Sequence, residues 1–372
     1  MIRRKDMILI GAAARKTGKT DFAGRVIAQA ALRVEVIGLK ITPVHDEELN
    51  PAGAYPCGDD DFPACGFRIR EETAPSSASD TGRMLAAGAR RAFWLEARRE
   101  HVGKGVEALL TLVPNRVCLV AEGNSARRAV EPGLFILLKN PGATEEKNSF
   151  KELLPLADRV ALFDGRAWDL PPEDCLFIDG EWMLRPPASA VVLAGGDSQR
   201  MGRDKSLLPI AGKPMIAHIV DRLKSLFDEI VISGGRPSDY DFLGLEVVPD
   251  LAPDQGPLMG IASALPRTKN DLSFVIACDI PDFELGFISR LATLAEDFDV
   301  VLPANSRGEL EPVFAYYRKS VVEPALAILA SGGRSILDLL PRVRWRSIPL
   351  PAGTKIRNIN TVDDYERLMN RE

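Results

Sequence analysis

Two stretches of this sequence carry residue types and spacings suited to holding phosphate. The first is Gly11-Ala12-Ala13-Ala14-Arg15-Lys16-Thr17-Gly18-Lys19-Thr20, set between an apolar run at 7–10 and a helical pattern over 21–32. It matches G-x-x-x-x-G-K-[ST] except that Ala13 stands where the first glycine belongs. In such a loop the backbone N–H groups turn inward onto a phosphate. Lys19 would neutralise charge at the β and γ positions, Thr20 would offer its hydroxyl to Mg²⁺, and the following helix would add its positive end. Gly18, Lys19 and Thr20 are therefore candidate phosphate-binding residues. A helix start that merely contains Gly-Lys-Thr is the alternative, and the strand–loop–helix setting argues against it. The second stretch is Leu193-Ala194-Gly195-Gly196-Asp197-Ser198-Gln199-Arg200-Met201-Gly202-Arg203-Asp204-Lys205, following the apolar run 190–193. Gly195 and Gly196 let backbone approach a base or phosphate without a Cβ in the way. Residues 198–202 would wrap a triphosphate, with Arg200 and Lys205 supplying positive charge where negative charge builds up in phosphoryl transfer.

Other reactive groups are sparse. Glu122 ends the apolar run 117–121. A carboxylate there, beside a phosphate loop, can orient Mg²⁺ through water or activate a water; a solvated turn residue is the alternative. Asp279 ends the run 274–277, within Cys278-Asp279-Ile280-Pro281. The C-terminal edge of a strand is where ligands of open α/β sheets gather, and Mg²⁺ needs only one or two carboxylates plus substrate phosphates. Because Pro281 follows, a helix N-cap is the competing role for Asp279. Cys278 is expected to pack as a small buried residue rather than act as a nucleophile. The second half holds a single histidine, His218, expected on the surface of a helix after Pro214, so chemistry built on histidine is short of parts. Five cysteines do not make a disulfide framework. Cys57 and Cys65 lack the C-x-x-C spacing and neighbouring histidine of a zinc site.

The elements that must position these groups alternate short apolar runs with helical patterns, the signature of α/β architecture. Runs at 7–10, 34–39, 117–121, 134–138 and 160–163 read as buried strands, followed by 190–193, 229–233 and 274–277, with a helix over 215–223. From 43 to 79 Pro, Gly, Asp and Ser dominate without a period, which points to a functional loop or a mobile one. Residues 180–189, with Arg185-Pro186-Pro187, interrupt the pattern and read as a linker, so a boundary is placed near 186. The 372 residues suffice for two or three domains at roughly 150 each. With 47 Lys+Arg against 52 Asp+Glu, no broad basic face for nucleic acid is expected. Met1-Ile2-Arg3-Arg4-Lys5 and the apolar residues after it imitate a signal peptide, but the run breaks at Gly11 and leads into Arg15-Lys16. No segment reaches the roughly 18 apolar residues of a membrane span, so a cytoplasmic protein without membrane partners is expected.

On the loop 13–20, on Gly38-Leu39-Lys40, on Asp80-Thr81-Gly82-Arg83 before Ala87-Gly88-Ala89, and on Glu122-Gly123-Asn124, the first half resembles the P-loop adaptor protein of molybdopterin guanine dinucleotide biosynthesis. The resemblance covers about residues 5–180. Besides Ala13 it departs at Asp21, which stands where a second Thr or Ser is common and puts a negative charge next to the phosphate site. The string L-A-G-G-x-S-x-R-M-G-x-D-K is far more specific. On it, residues 188–372 resemble the molybdenum cofactor guanylyltransferases, members of the sugar-phosphate-type nucleotidyltransferase fold. Asp250 before Gly256-Pro257-Leu258-Met259-Gly260, then Cys278-Asp279-Ile280-Pro281, Glu311-Pro312-Val313-Phe314 and Asn358-Ile359-Asn360-Thr361 follow in family order.

The resemblances imply an α/β fold in two domains. Residues 1–184 would be an N-terminal P-loop NTPase-like parallel sheet serving as a nucleotide-binding accessory domain. Residues 188–372 would be a C-terminal Rossmann-like nucleotidyltransferase domain. The implied reaction moves GMP from GTP to the phosphate of molybdenum-loaded molybdopterin and releases pyrophosphate, with Mg²⁺ as cofactor. Leu193, Ala194, Gly195 and Gly196 match the guanine-contacting turn, and Lys205 the phosphate-binding lysine. Asp250 matches a nucleotide-contacting aspartate and Asp279 the Mg²⁺ ligand, while Ser233 stands where Asn often contacts the nucleotide. Glu311 takes the place of a frequent His, and Asn358 and Asn360 are expected to hold the C-terminal segment against the sheet. Catalysis is assigned to Arg200, Lys205 and Asp279; in the first domain, Thr20 and Glu122 would hold a metal. Besides GTP and the pterin cofactor, molybdenum-insertion proteins and molybdoenzyme apoproteins are candidate partners. A phosphate-monoester nucleophile is already ionised at neutral pH and needs no general base, so positioning and charge carry the reaction. Two readings compete: a related transferase acting with CTP or on a sugar phosphate, and a cofactor carrier or scaffold whose P-loop is a sensor.

Overall fold

The computed structural model describes residues 1–14, 17–44, 66–142, 146–194, 205–210, 212–351, 354, 356–359 and 361–369. Gly195, Gly196 and Arg200, the rest of residues 195–204, the Cys57/Cys65 pair and Asn360 lie outside the described residues. The chain divides into two compact units, Met1–Leu184 and Arg185–Glu372. Both are mixed α/β with sheets dominated by parallel pairs. Among the described residues no helix is long and apolar enough to cross a membrane.

In the first unit β1 (Ile2–Ala12) is followed, after residues 13–18, by α1 (Lys19–Ala31). There follow β2 (Val36–Val44), β3 (Phe67–Glu72), α2 (Asp80–Ala86), β4 (Arg91–Arg98), α3 (Val102–Thr111), β5 (Cys118–Glu122), β6 (Val130–Lys139), α4 (Asn148–Leu153), β7 (Arg159–Leu162), β8 (Cys175–Ile178) and β9 (Glu181–Leu184). The seven-stranded sheet has the order β3-β4-β2-β5-β1-β6-β7, parallel except at the edge pair β3–β4. Its central strands are buried on both faces, which is why they read as unbroken apolar runs. Phe22, Val26 and Ile27 of α1 cover one face; Val106 and Leu109 of α3 and Phe150 and Leu153 of α4 cover the other.

Two expectations are corrected in part here, for physical reasons. In the stretch 43–79, of which 45–65 lie outside the described residues, residues 67–72 form β3, an edge strand whose outward residues are charged and so show no apolar period. It is held by cross-strand ion pairs, Arg68 to Glu96 at 2.8 Å and Arg91 to Glu71 at 2.6 Å. The linker expected over 180–189 shrinks as well. Glu181–Leu184 is β9, paired antiparallel with β8 through a turn at Asp179 (φ 54°) and Gly180 (φ 81°), and Ser189 already belongs to the next strand. Asp-Gly with both residues at positive φ is a favoured two-residue hairpin turn.

The second unit begins its sheet at β10 (Ser189–Leu193), followed by the small hairpin β11 (Pro209–Ile210) and β12 (Lys213–Pro214). Next come α5 (Met215–Leu223), β13 (Ile230–Ser233), β14 (Glu246–Val248), α6 (Pro257–Ala264), β15 (Leu272–Ala277), α7 (Leu285–Thr293), β16 (Val300–Ala304), β17 (Phe314–Arg318), α8 (Val322–Ala330), β18 (Trp345–Pro349) and α9 (Val362–Met369). The sheet order is β14-β13-β10-β15-β17-β16-β18, with β17 antiparallel to both neighbours. Strand β10 is flanked by β13 on one side and β15 on the other. The chain moves outward from β10 to β13 and β14, then crosses back to β15. That reversal opens a crevice at the strands' C-terminal ends, the usual ligand position of such sheets.

Candidate functional site

In the first unit the loop turns on Gly18, the residue before α1, in the left-handed conformation at φ 73° and ψ 18°. A Cβ there would also meet the Trp168 ring at 2.8 Å, so only glycine suits the position. Ala13 is fully buried and has no positive φ. Its N–H donates to Leu138 O and its carbonyl accepts from Lys147 N, both at 2.8 Å, so alanine serves where the pattern has glycine. Asp21 lies exposed on α1.

Glu122 is no solvated turn residue: it is fully buried. Its Oε2 accepts from Lys40 Nζ at 2.7 Å, and Lys19 Nζ stands 3.9 Å away. Lys40 Nζ is also 2.6 Å from Asp80 Oδ2. Thr20 Oγ1 lies 3.1 Å from Asp80 Oδ1 and 3.4 Å from Glu122 Oε2. Burial together with the Lys40 charge pulls Lys19 below the ordinary ammonium value. Burial also opposes the charge on Lys40, but Glu122 and Asp80 outweigh it and hold Lys40 above its usual value. Against the upward push of burial, Lys40 keeps the Asp80 carboxyl below the usual range. Two ammoniums and two carboxylates thus balance around Thr20. Glu122 Oε1 remains buried without a partner, a position that suits a cation's oxygen ligand. Lys40 and Asp80 were not among the expected site residues; nothing in local spacing says that β2 and the start of α2 bring them to Glu122.

In the second unit Leu193 ends β10. Its carbonyl accepts from Cys278 N at 3.0 Å, and Ala194 N donates to Ser233 O at 2.8 Å, so the origin of the loop is pinned between β13 and β15. The fully buried Tyr240 donates its hydroxyl to Ala194 O at 3.2 Å and lies 3.3 Å from Ser206 Oγ. It therefore bonds to Ala194 and Ser206, on either side of residues 195–204, a role with no signal in the sequence. Gly260 brings three expected residues together: a Cβ on it would meet Leu193 Cδ2 and Ser233 Oγ at 3.1 Å and Asp250 Oδ1 at 3.7 Å. Ser233 Oγ donates to Gly260 O at 2.9 Å, so the hydroxyl proton is committed to backbone.

Asp279 lies in the turn after β15, and α7 starts only at Leu285, so the helix-cap role is excluded. Its backbone carbonyl accepts from Ile359 N at 2.8 Å, while its side-chain Oδ1 is buried without a hydrogen-bond partner. Burial lifts its carboxyl above the usual range, partly offset by the Lys205 charge. Asp250 Oδ1 is likewise buried and unpartnered, and burial lifts that carboxyl too. Among the described residues no three His, Cys, Asp or Glu side chains gather into a metal cage. A cation here would rest on one or two carboxylates and substrate oxygens, the habit of Mg²⁺. Asn358, expected to be purely structural, places a buried and unpartnered Oδ1 one residue from the Ile359 contact to Asp279. Glu311 is half-buried, and burial plus Glu309 lifts its carboxyl. Two smaller expectations need correction. Cys278 is half-exposed rather than buried because its strand has already ended, and His218 is partly buried on α5 rather than at its surface.

Residues 190–344 match the family model described as MobA-like NTP transferase domain. The chain is 35% identical over 188 residues to the probable molybdenum cofactor guanylyltransferase of Carboxydothermus hydrogenoformans, covering 94% of that protein and 49% of this one. It is 31% identical over 183 residues to the probable molybdenum cofactor guanylyltransferase of a Nostoc species, covering 87% of that protein and 47% of this one. Among solved structures, molybdopterin-guanine dinucleotide biosynthesis protein A of Archaeoglobus fulgidus aligns with a TM-score of 0.43 at 24% identity, over 49% of this chain and 97% of that one. Through its second half, a nucleotidyltransferase domain, the chain belongs to the molybdenum cofactor guanylyltransferase family.

Proposed function

We propose that the second unit transfers GMP from GTP to the phosphate of molybdenum-loaded molybdopterin, yielding molybdopterin guanine dinucleotide and pyrophosphate. The observation that carries this reading is that Asp279 and Asp250 each keep a buried unpartnered oxygen near the end of β10, Asp250 with Leu193 around Gly260 and Asp279 next to Cys278, whose N–H reaches Leu193 O, while the Lys205 charge acts on Asp279. Leu193 and Ala194 would face the base, and Lys205 the triphosphate. Asp279 would hold Mg²⁺, which when bound supplies positive charge to the phosphates. An acceptor phosphate oxygen forms the new bond to the α-phosphorus as the α–β bridge breaks, and the electron pair leaves with pyrophosphate. No proton need be abstracted from an ionised phosphate, which fits a site without histidine. Arg200, Gly195 and Gly196 belong to the same proposal through their motif.

The first unit is proposed as a fused P-loop accessory domain that binds a nucleotide at Gly18, Lys19 and Thr20, with Thr20 and Glu122 as its metal-facing residues. The charge-balanced cluster around Thr20 supports that reading. The test is incubation of the full chain with each labelled nucleoside triphosphate and molybdopterin-loaded acceptor, scoring dinucleotide product. GTP should exceed the others by a wide margin. A preference for CTP would replace the guanylyl assignment, and no product with any triphosphate would leave a carrier.

A further inference from the structure

The first unit has a cavity of about 590 Å³ between α3, α4 and the ends of β2 and β5. That volume lies within the range of small-molecule sites, about 300–1,000 Å³. Its apolar wall is built from Pro43, Val102 and Leu153, and its charged rim from Arg99, Arg128, Lys147 and Glu152. The lining carries three basic side chains against one acidic one, with Arg128 paired to Glu152. Within it Ser125 Oγ is buried and has no hydrogen-bond partner, an arrangement that costs free energy unless a ligand supplies one. Ser149 and Asn124 add further hydrogen-bonding groups.

The cavity is coupled to the phosphate loop without sharing its residues. Asn124 lines the cavity, accepts from Ala12 N at 2.8 Å, and donates to Ala12 O at 3.0 Å and to Ser149 Oγ at 3.1 Å. Lys147 also lines it, and its N–H donates to Ala13 O at 2.8 Å. Gly103 faces open space, with nothing within 4 Å of where its Cβ would lie.

We propose that this cavity is a second ligand site of the first unit, taking a small molecule with an apolar body and a phosphomonoester, held by Arg99, Arg128, Lys147 and Ser125. The proposal rests on the accessory-domain reading only for its neighbour, the nucleotide, so the two are tested apart. Nucleotide-free full-length protein is titrated with riboflavin 5′-phosphate, read by flavin fluorescence, and riboflavin lacking the phosphate serves as control. Saturable binding is expected, at least tenfold tighter than for riboflavin. Gly103→Leu, whose Cβ would have nothing within 4 Å and whose longer side chain would enter the cavity, should weaken it tenfold or more, as should Arg99→Gln with Arg128→Gln. Lys19→Ala and Lys205→Ala should leave it unchanged, and saturating GTP should not expel the probe. Loss of GTP binding by the first unit in Lys19→Ala, with the probe retained, separates the two sites. The proposal is overturned by absence of saturable binding, by equal affinity for riboflavin, by indifference to the Gly103 and arginine variants, or by displacement with GTP.

Discussion

The two phosphate-site candidates solve the same electrostatic problem in opposite ways. Around Thr20 the charges answer one another, with Lys40 seated between Glu122 at 2.7 Å and Asp80 at 2.6 Å. Around Leu193 one carboxyl oxygen each of Asp250 and Asp279 is buried without a hydrogen-bond partner, and burial pushes both carboxyls upward, against the Lys205 charge at Asp279. A balanced cluster is stable as it stands and must rearrange to take on more charge. A desolvated carboxyl is held ready for a cation and gains most when one arrives. The first arrangement suits binding, the second suits a metal-dependent transfer.

The contrast is broken most directly at Lys40. Lys40→Met leaves the buried Glu122 with only Lys19 at 3.9 Å, an effect of up to about 3–5 kcal/mol when one member of a buried pair is lost. A large fall in the melting temperature of the full chain is expected, partly recovered when Glu122→Gln is added; an unchanged melting curve would mean that the first cluster is not self-balanced. Asp279→Asn and Lys205→Ala should each lower turnover by about 10²–10³, the usual effect of removing one transition-state electrostatic contact, with the circular dichroism of the wild type retained. Near-normal rates in Asp279→Asn would sink the metal assignment.

Tyr240→Phe sharpens the second site. It removes one hydroxyl bonded to Ala194 and Ser206, each bond contributing about 0.5–1.5 kcal/mol net. About a tenfold loss in kcat/KM for GTP is expected, with the melting temperature lowered by only a few degrees. An effect on melting alone would make Tyr240 a packing residue. Metal affinity should also depend on pH. Because burial raises the Asp279 carboxyl, protons compete with the cation at higher pH than for an exposed aspartate of pKa about 3.9. Calorimetric Mg²⁺ affinity should fall as pH drops through that raised value, and Asp279→Asn should flatten the dependence. Smallest of all, Lys19→Ala and His218→Ala should leave guanylyl transfer nearly unchanged at saturating substrate. A dead Lys19→Ala enzyme would tie the two sites into one machine and erase the distinction between them.

Much of this was legible beforehand because buried parallel strands announce themselves: β5, β10 and β15 each emerge from an apolar run, and α5 spans the residues its spacing indicated. The edge strand β3 stayed hidden because half of its surface faces water and its charges pair across the sheet. The β8–β9 hairpin had a signal, Asp179-Gly180, obscured by the prolines just beyond it. The exposure of Cys278 was missed because its apolar run ends just before it, and the strand does too.

Sequence alone determined which chemistry the chain is equipped for. A glycine-rich loop after a buried strand, a lysine at its end and an aspartate ending a neighbouring strand are local patterns, and local patterns report backbone geometry and side-chain type. Tertiary structure alone decided which charges meet. Lys40 and Glu122 are 82 residues apart, and Tyr240 and Ala194 are 46 apart. Their contacts exist because β2 lies beside β5 in one sheet and because Tyr240 is buried against the end of β10 in the other. The cavity beside Ser125 has the same origin, since residues from 43 to 153 line it and no segment of the chain contains it. Strand order sets these distances, and it is fixed by burial summed over the whole sheet rather than by any window of sequence.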